Sequence, residues 1–401
     1  MNRFERHPIL TLGFVLAVLL GLMLAVSEAL LQPDVGAEVV VGGDSVPSPQ
    51  RFLALREWQP LTRFSFGPTE ERIANAGSEL QGVYPLDTDQ FGFVEPSVVH
   101  KDADVEIVFV GGSTTESLYV QPENRFPYRT GRLLEERLGL TVNSINAGKS
   151  GNNAMHSLLV TIGKILPRRP DFVILMNNTN DVGTLYGHGT YWNEDASYAL
   201  VRARERSFEG IARDLRDMTI PYTYRHLRRA MRQLSAVKFL PRPDSAFAGQ
   251  GEEAQDAESR PMPPERMRRE FESALRSFVA VVRAWHSEPV LMTQVILPYS
   301  PGQQPPPKRA NPPSREQLLR GDFAKQDFGS VQEFFNAVIR HVALSENVAL
   351  VDLARARDWS YAHLYDTMHF IDSGSRHVAA FIAEEMEPLI RRKLAAQAQA
   401  N

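Results

Sequence analysis

Five short runs rich in Val, Ile and Leu set the strongest constraint on how this chain folds. They are VEIVFV at 105–110, VNSI at 142–145, DFVILM at 171–176, PVLMTQVIL at 289–297 and VALV at 348–351. Runs of this length, without a sustained polar alternation, fit strands buried on both faces. Helix-length segments stand between or after them: 126–138, 153–166, 264–285, 331–344 and 373–394. Within 264–285 the residues Met267, Phe271, Leu275, Phe278 and Val282 recur on one helical face. Strands alternating with helices predict an α/β chain with a parallel sheet covered on both sides. Ligands of such sheets bind at the carboxyl ends of the strands.

The remaining sequence divides unevenly. Residues Ile9–Val26 (ILTLGFVLAVLLGLMLAV) carry no charge, and as a helix they span about 27 Å against a hydrocarbon core of roughly 30 Å. Arg3 and Arg6 precede the run and the next basic residue is Arg51, so the expected orientation keeps the N-terminus cytoplasmic. The expectation is a single-pass anchor in the inner (cytoplasmic) membrane with the remainder periplasmic. A cleaved signal peptide, ending at Ser27-Glu28-Ala29, is the rival, although the run exceeds the usual apolar region of one. Residues 1–31 are thus read as stub and anchor, 32–99 as linker and N-terminal arm, and 100–396 as the catalytic domain. An insertion at about 184–263 interrupts that domain. In it Arg225, Arg228, Arg229 and Arg232 oppose an apolar stripe of Tyr224, Leu227, Met231 and Leu234. By default that is a solvated face, and the alternative is a surface for anionic lipid or acidic glycan. A Pro-rich stretch follows at 300–314.

Composition excludes several classes. A net charge of −4 offers no basic surplus for nucleic acid, and the lack of cysteine removes disulfides, thiol catalysis and thiolate metal sites. Gly148-Lys149-Ser150 has the look of a phosphate loop. That loop needs a glycine five residues before its own, where this chain has Asn143. No HExxH or clustered His/Asp spacing suggests a metal, and no cofactor motif is present.

What stands at the strand ends is more telling. The first strand ends in GGSTTE (111–116), the second in NAGKSG (146–151), the third in NNTND (177–181), and DTMH (366–369) precedes the last helix. Together they bring a hydroxyl, a backbone N–H, a side-chain amide and an Asp/His pair to one edge of the sheet. That is the inventory for acyl transfer through serine.

These four blocks, in this order, resemble the SGNH (GDSL-like) hydrolase superfamily, over roughly residues 100–395 less the insertion. The segment DTDQFGFVEPS (87–97) is similar to the preamble of membrane-anchored bacterial members of the GGSTT type. The resemblance implies a flavodoxin-like three-layer α/β/α sandwich. It also implies Ser113 as nucleophile, Asp366 and His369 as its partners, and an oxyanion hole from Ser113, Gly151 and Asn180. Gly112 stands where the family often has Asp, and Thr179 where it usually has Gly. His363 and His377 compete with His369 for the role of base. Glu116 and Asp181 are possible pocket residues, with helix capping and plain structural support as their respective alternatives. The implied function is a serine esterase acting on O-acyl groups of an envelope glycan or lipid. The alternatives are an O-acyltransferase served by an acyl-exporting membrane partner, and a catalytically silent glycan-binding module.

Overall fold

The computed structural model describes residues 51–193 apart from 54, 71, 74–79 and 81, then 198–203, 263–297, and 328–400 apart from 357 and 358. Near the N-terminus it describes residues 16, 18, 19 and 22. The chain divides into two units, Met1–Gln50 and Arg51–Asn401. In the first, Leu16, Val18, Leu19 and Leu22 are helical and exposed. Among the described residues no helix is long and apolar enough to cross a membrane. The expected span 9–26 lies mostly outside the described residues. So do the basic stretch 225–242 and the Pro-rich stretch 300–314.

In chain order the strands are β1 (Arg51–Leu53), β2 (Arg63–Phe66), β3 (Tyr84–Asp87), β4 (Val105–Gly111), β5 (Val142–Asn146), β6 (Phe172–Met176), β7 (Val201–Ala203), β8 (Glu288–Met292) and β9 (Ala349–Val351). Five of them form one sheet in the order β5-β4-β6-β8-β9, with every pairing parallel. Numbered within the sheet this is 2-1-3-4-5, the flavodoxin-like order, whose switch point lies between β4 and β6. The helices are α1 (Ser113–Glu116), α2 (Phe126–Leu138), α3 (Ala154–Val160), α4 (Thr179–His188), α5 (Pro264–Ala284), α6 (Phe328–Ser345) and α7 (Asp372–Ala400).

The strand pleat sorts side chains into two cores. On β4, Val108 and Val110 face α3, α5 and α6, while Ile107 and Phe109 face α2 and α7; Val173 and Leu175 of β6 divide from Phe172, Ile174 and Met176 in the same way. The α5 stripe Met267, Phe271, Leu275, Phe278 and Val282 is fully covered. Each such side chain contributes about 1.5–3 kcal/mol on burial.

The described parts of the expected arm (32–99) and of the expected insertion (184–263) pack on the sheet domain. Residues from Arg51 onward belong to the same compact unit as the sheet. Strands β2 and β3 pair antiparallel, and Val94 bridges to Asn146 at the end of β5. The buried Arg125 guanidinium ties this arm down by donating to the carbonyls of Pro85, Glu95 and Ser117. Pro85 and Glu95 left no hydrophobic-periodicity signal, because the attachment runs through their backbone oxygens. Likewise the expected insertion begins inside α4, whose Leu185 is core, and Tyr191 and Leu200 beyond it are buried as well.

Candidate active site

Strand β4 ends in Gly111, and Gly112 turns the chain in extended geometry (φ −87, ψ −153) into α1. Gly111 is required by a close backbone neighbour, and at Gly112 a side chain would displace the Asn180 amide. A Cβ on Gly111 would fall 2.4 Å from the Met176 carbonyl oxygen, and one on Gly112 would fall 2.5 Å from Asn180 Nδ2. Ser113 follows at the switch point and opens the helix. The first N–H groups of a helix have no intrahelical acceptor.

Ser113 Oγ lies 2.7 Å from His369 Nε2, and His369 Nδ1 lies 2.7 Å from Asp366 Oδ2. The other carboxylate oxygen accepts the N–H groups of Met368 (2.9 Å) and His369 (2.8 Å), which fixes the carboxylate against its own loop. Tyr365 N–H closes that loop on the His369 carbonyl at 3.0 Å. The Tyr365 ring stacks on the imidazole at 5.4 Å between centroids and 8° between planes. Burial disfavours the charged Asp366. The His369 ring and the two N–H donors outweigh it and hold the carboxyl below its ordinary range. Burial, with Asp366 next to it, raises the Tyr365 phenol well above its usual value, so Tyr365 stays neutral.

Asn180 enters from the first turn of α4. Its Nδ2 donates to the Asn152 carbonyl at 2.8 Å, and Asn177 Nδ2 donates to the same oxygen at 2.7 Å. An amide nitrogen carries two hydrogens, so Asn180 keeps one for the site. Gly151 stands between, at φ +81, a left-handed conformation that favours glycine, and the Arg56 guanidinium covers its α-carbon. A small pocket beside Ser113 is lined by Met176, Asn178, Thr179, Gln294 and Met368, with Gly112 and Asn180. Gln294 braces its wall by donating to Thr114 Oγ1 at 2.7 Å and accepting from the Thr179 N–H at 3.2 Å. A larger concavity lies by the β2–β3 hairpin, among Leu61, Arg63, Asp87, Phe91, Lys101 and Arg168. It contains none of the strand-end residues, so the relay geometry, not the size of the hollow, locates the site.

Of the residues singled out from the sequence, the structure brings Ser113, His369, Asp366, Gly151 and Asn180 to one edge of the sheet. Glu116 and Asp181 are not part of the pocket. Glu116 is buried and accepts a hydrogen bond from the Ser150 hydroxyl, holding the second block against α1. Asp181 Oδ1 accepts from Ala154 N–H at the start of α3 (2.8 Å) and from Tyr191 OH (2.6 Å). Lys149 places its ammonium 2.9 Å from the centroid of the Trp58 ring. His363 packs edge-on against His377 and Trp359. Sequence reasoning missed Arg56, Asn152, Gln294 and Tyr365. Asn152 was within reach as the residue after Gly151. Tyr365 was equally within reach, directly before Asp366, whereas Arg56 and Gln294 act through contacts between segments far apart in the chain.

No curated protein sequence matches the chain. Among solved structures it is similar to an acetylxylan esterase from Geobacillus stearothermophilus, at 15% identity over 71% of this chain and 94% of that one (TM-score 0.39). It is also similar to a putative lipolytic protein of the G-D-S-L family from Desulfitobacterium hafniense, at 12% identity over 70% and 99% (TM-score 0.36). The description of the GDSL-like lipase/acylhydrolase family matches residues 109–377, which is about two thirds of the chain and reaches from the end of β4 past the His369 loop into α7. With that span matched, the chain belongs to the GDSL-like lipase/acylhydrolase family.

Proposed function

We propose that this protein is a serine esterase that works through an acyl-Ser113 intermediate on O-acyl groups of a cell-envelope glycan or lipid. The observation that carries the reading is the unbroken relay from Ser113 Oγ through His369 to Asp366, at 2.7 Å for each step, beside the Gly151 and Asn180 donors. In the first half-reaction His369 Nε2 takes the hydroxyl proton as Ser113 Oγ bonds to the ester carbonyl carbon. The oxyanion accepts hydrogen bonds from the N–H groups of Ser113 and Gly151 and from the Asn180 amide. Each such donor is worth about 10²–10³ in turnover. The carbonyl–alkoxide bond then breaks, and the imidazolium returns its proton to the leaving oxygen. Water repeats the sequence from the other side, releasing the carboxylic acid and restoring Ser113. Asp366, held ionised, stabilises the imidazolium and keeps Nδ1 protonated so that Nε2 is the base.

The location belongs to the same proposal. The uncharged run 9–26, with Arg3 and Arg6 on one side only, would anchor the chain in the inner membrane and place residues 51–401 outside the cytoplasm. The test uses p-nitrophenyl acetate with the wild-type chain and with Ser113→Ala, each with and without an oligosaccharide acceptor. The expected result is turnover in buffer alone that Ser113→Ala abolishes. Turnover that appears only with the acceptor, yielding acylated sugar, would replace hydrolysis by acyl transfer.

A further inference from the structure

Leu55–Trp58 lies well before the matched family region and carries none of the four strand-end blocks. It nevertheless grips the second block at three points. Arg56 Nη2 donates to the Ser150 carbonyl at 3.2 Å. The Arg56 carbonyl accepts from Asn152 Nδ2 at 2.9 Å. The guanidinium also lies so close over Gly151 that a Cβ there would stand 2.2 Å from Nη2 and 2.8 Å from Cζ.

The Ser150 carbonyl and the Gly151 N–H are the two ends of one peptide group. That group is planar and trans, so its C=O and N–H point in opposite directions. A donor that fixes the carbonyl therefore fixes where the N–H points. A hydrogen bond from a charged donor is about twice as strong as a neutral one, and it polarises the amide, which makes the N–H opposite a better donor. The far side of the turn is fixed too, because Asn152 is held by Arg56, Asn177 and Asn180.

We propose that Arg56 is a positioning residue for ester cleavage: by holding the Ser150 carbonyl it aims and polarises the Gly151 N–H toward the oxyanion. The inference rests on the acyl-Ser113 reading above. It predicts an effect on the transition state and little on the ground state, since a substrate carbonyl carries far less charge on its oxygen than the tetrahedral intermediate does.

The test compares wild type with Arg56→Ala and Arg56→Lys in the full chain. It reads p-nitrophenyl acetate turnover, the rate of fluorophosphonate labelling at Ser113, and the thermal midpoint. The expected result for Arg56→Ala is a kcat about 10–10² lower, somewhat less than loss of a donor outright, with KM changed less than about threefold. Labelling slows in parallel, Arg56→Lys recovers part of both rates, and added methylguanidine restores part of the rate to Arg56→Ala. Labelling of Arg56→Ala at the wild-type rate would overturn the proposal and leave the esterase reading intact. A loss that tracks a lowered thermal midpoint, with no recovery from lysine or methylguanidine, would also overturn it, since Arg56 would then only support the fold. Wild type that is not labelled at Ser113 at all would remove the esterase reading, and this inference with it.

Discussion

Two aspartates flank the end of the sheet, Asp181 fully buried and Asp366 half-buried, and their surroundings drive them in opposite directions. Asp366 spends both oxygens: one on the His369 ring, the other on two backbone N–H groups. Those donors overcome burial, and its carboxyl stays below the ordinary value. Asp181 spends Oδ1 on the Tyr191 hydroxyl and the Ala154 N–H, while the buried Oδ2 has no partner among the described residues. There burial prevails and pushes the carboxyl up to about 7. Burial works against the charge of both carboxyls, and more strongly on Asp181. The number and charge of the donors facing each one add to that difference in depth, and together they separate an ionised histidine partner from an acid that closes the start of a helix.

The two aspartates differ most in their effect on activity. Replacing Asp366 by Asn should lower kcat by about 10³–10⁴, because the amide can hold the wrong tautomer of the His369 ring. The check is steady-state turnover of p-nitrophenyl acetate at pH 7–8 on protein that melts as one transition. Next comes the adjacent pair on α4. Asn180→Ala should cost about 10²–10³ in kcat as an oxyanion donor is lost, whereas Asp181→Asn should keep turnover within a few-fold of wild type.

The smallest effect separates the two acids by pH. The folded-state pKa of Asp181 is raised, so between about pH 4 and 7 the folded chain binds a proton that the unfolded chain does not. Its contribution to stability then falls as pH rises through that window. Asp366 has the reverse sign: its depressed pKa adds stability above the unfolded value, lost as pH falls through the folded one. Melting temperatures of Asp181→Asn and wild type, taken from pH 5 to 8, should therefore diverge in favour of the variant as pH rises. A constant difference across that range would mean that Asp181 is ionised throughout.

Much of this arrangement was legible before the structure. The strands VEIVFV and DFVILM extend in the fold as Val105–Gly111 and Phe172–Met176, and FPYRTGRLLEERL forms α2 at its expected bounds. Short apolar runs and long amphipathic stripes are local signals, and burial on both sheet faces leaves them little alternative. The blocks at the strand ends were legible because parallel strands deliver their carboxyl ends to one edge. Asp181 shows where that reasoning stops. Next to Asn180 it reads either as a pocket residue or as structural support, and sequence does not choose; α4 turns consecutive residues to different faces and sends it to Tyr191. Arg56 and Arg125 stayed hidden for another reason, since each acts on backbone carbonyls that any residue type supplies.

The most direct test of the account is the site and rate of covalent capture. Wild type, Asp366→Asn and Asp181→Asn would be mixed with a fluorophosphonate and sampled over time, and the adduct mapped by peptide mass spectrometry. The account predicts one adduct, on Ser113, forming at similar rates in wild type and Asp181→Asn and at least about a hundredfold slower in Asp366→Asn. An adduct on another residue, or capture by Asp366→Asn as fast as by wild type, would contradict the relay from Asp366 through His369 to Ser113.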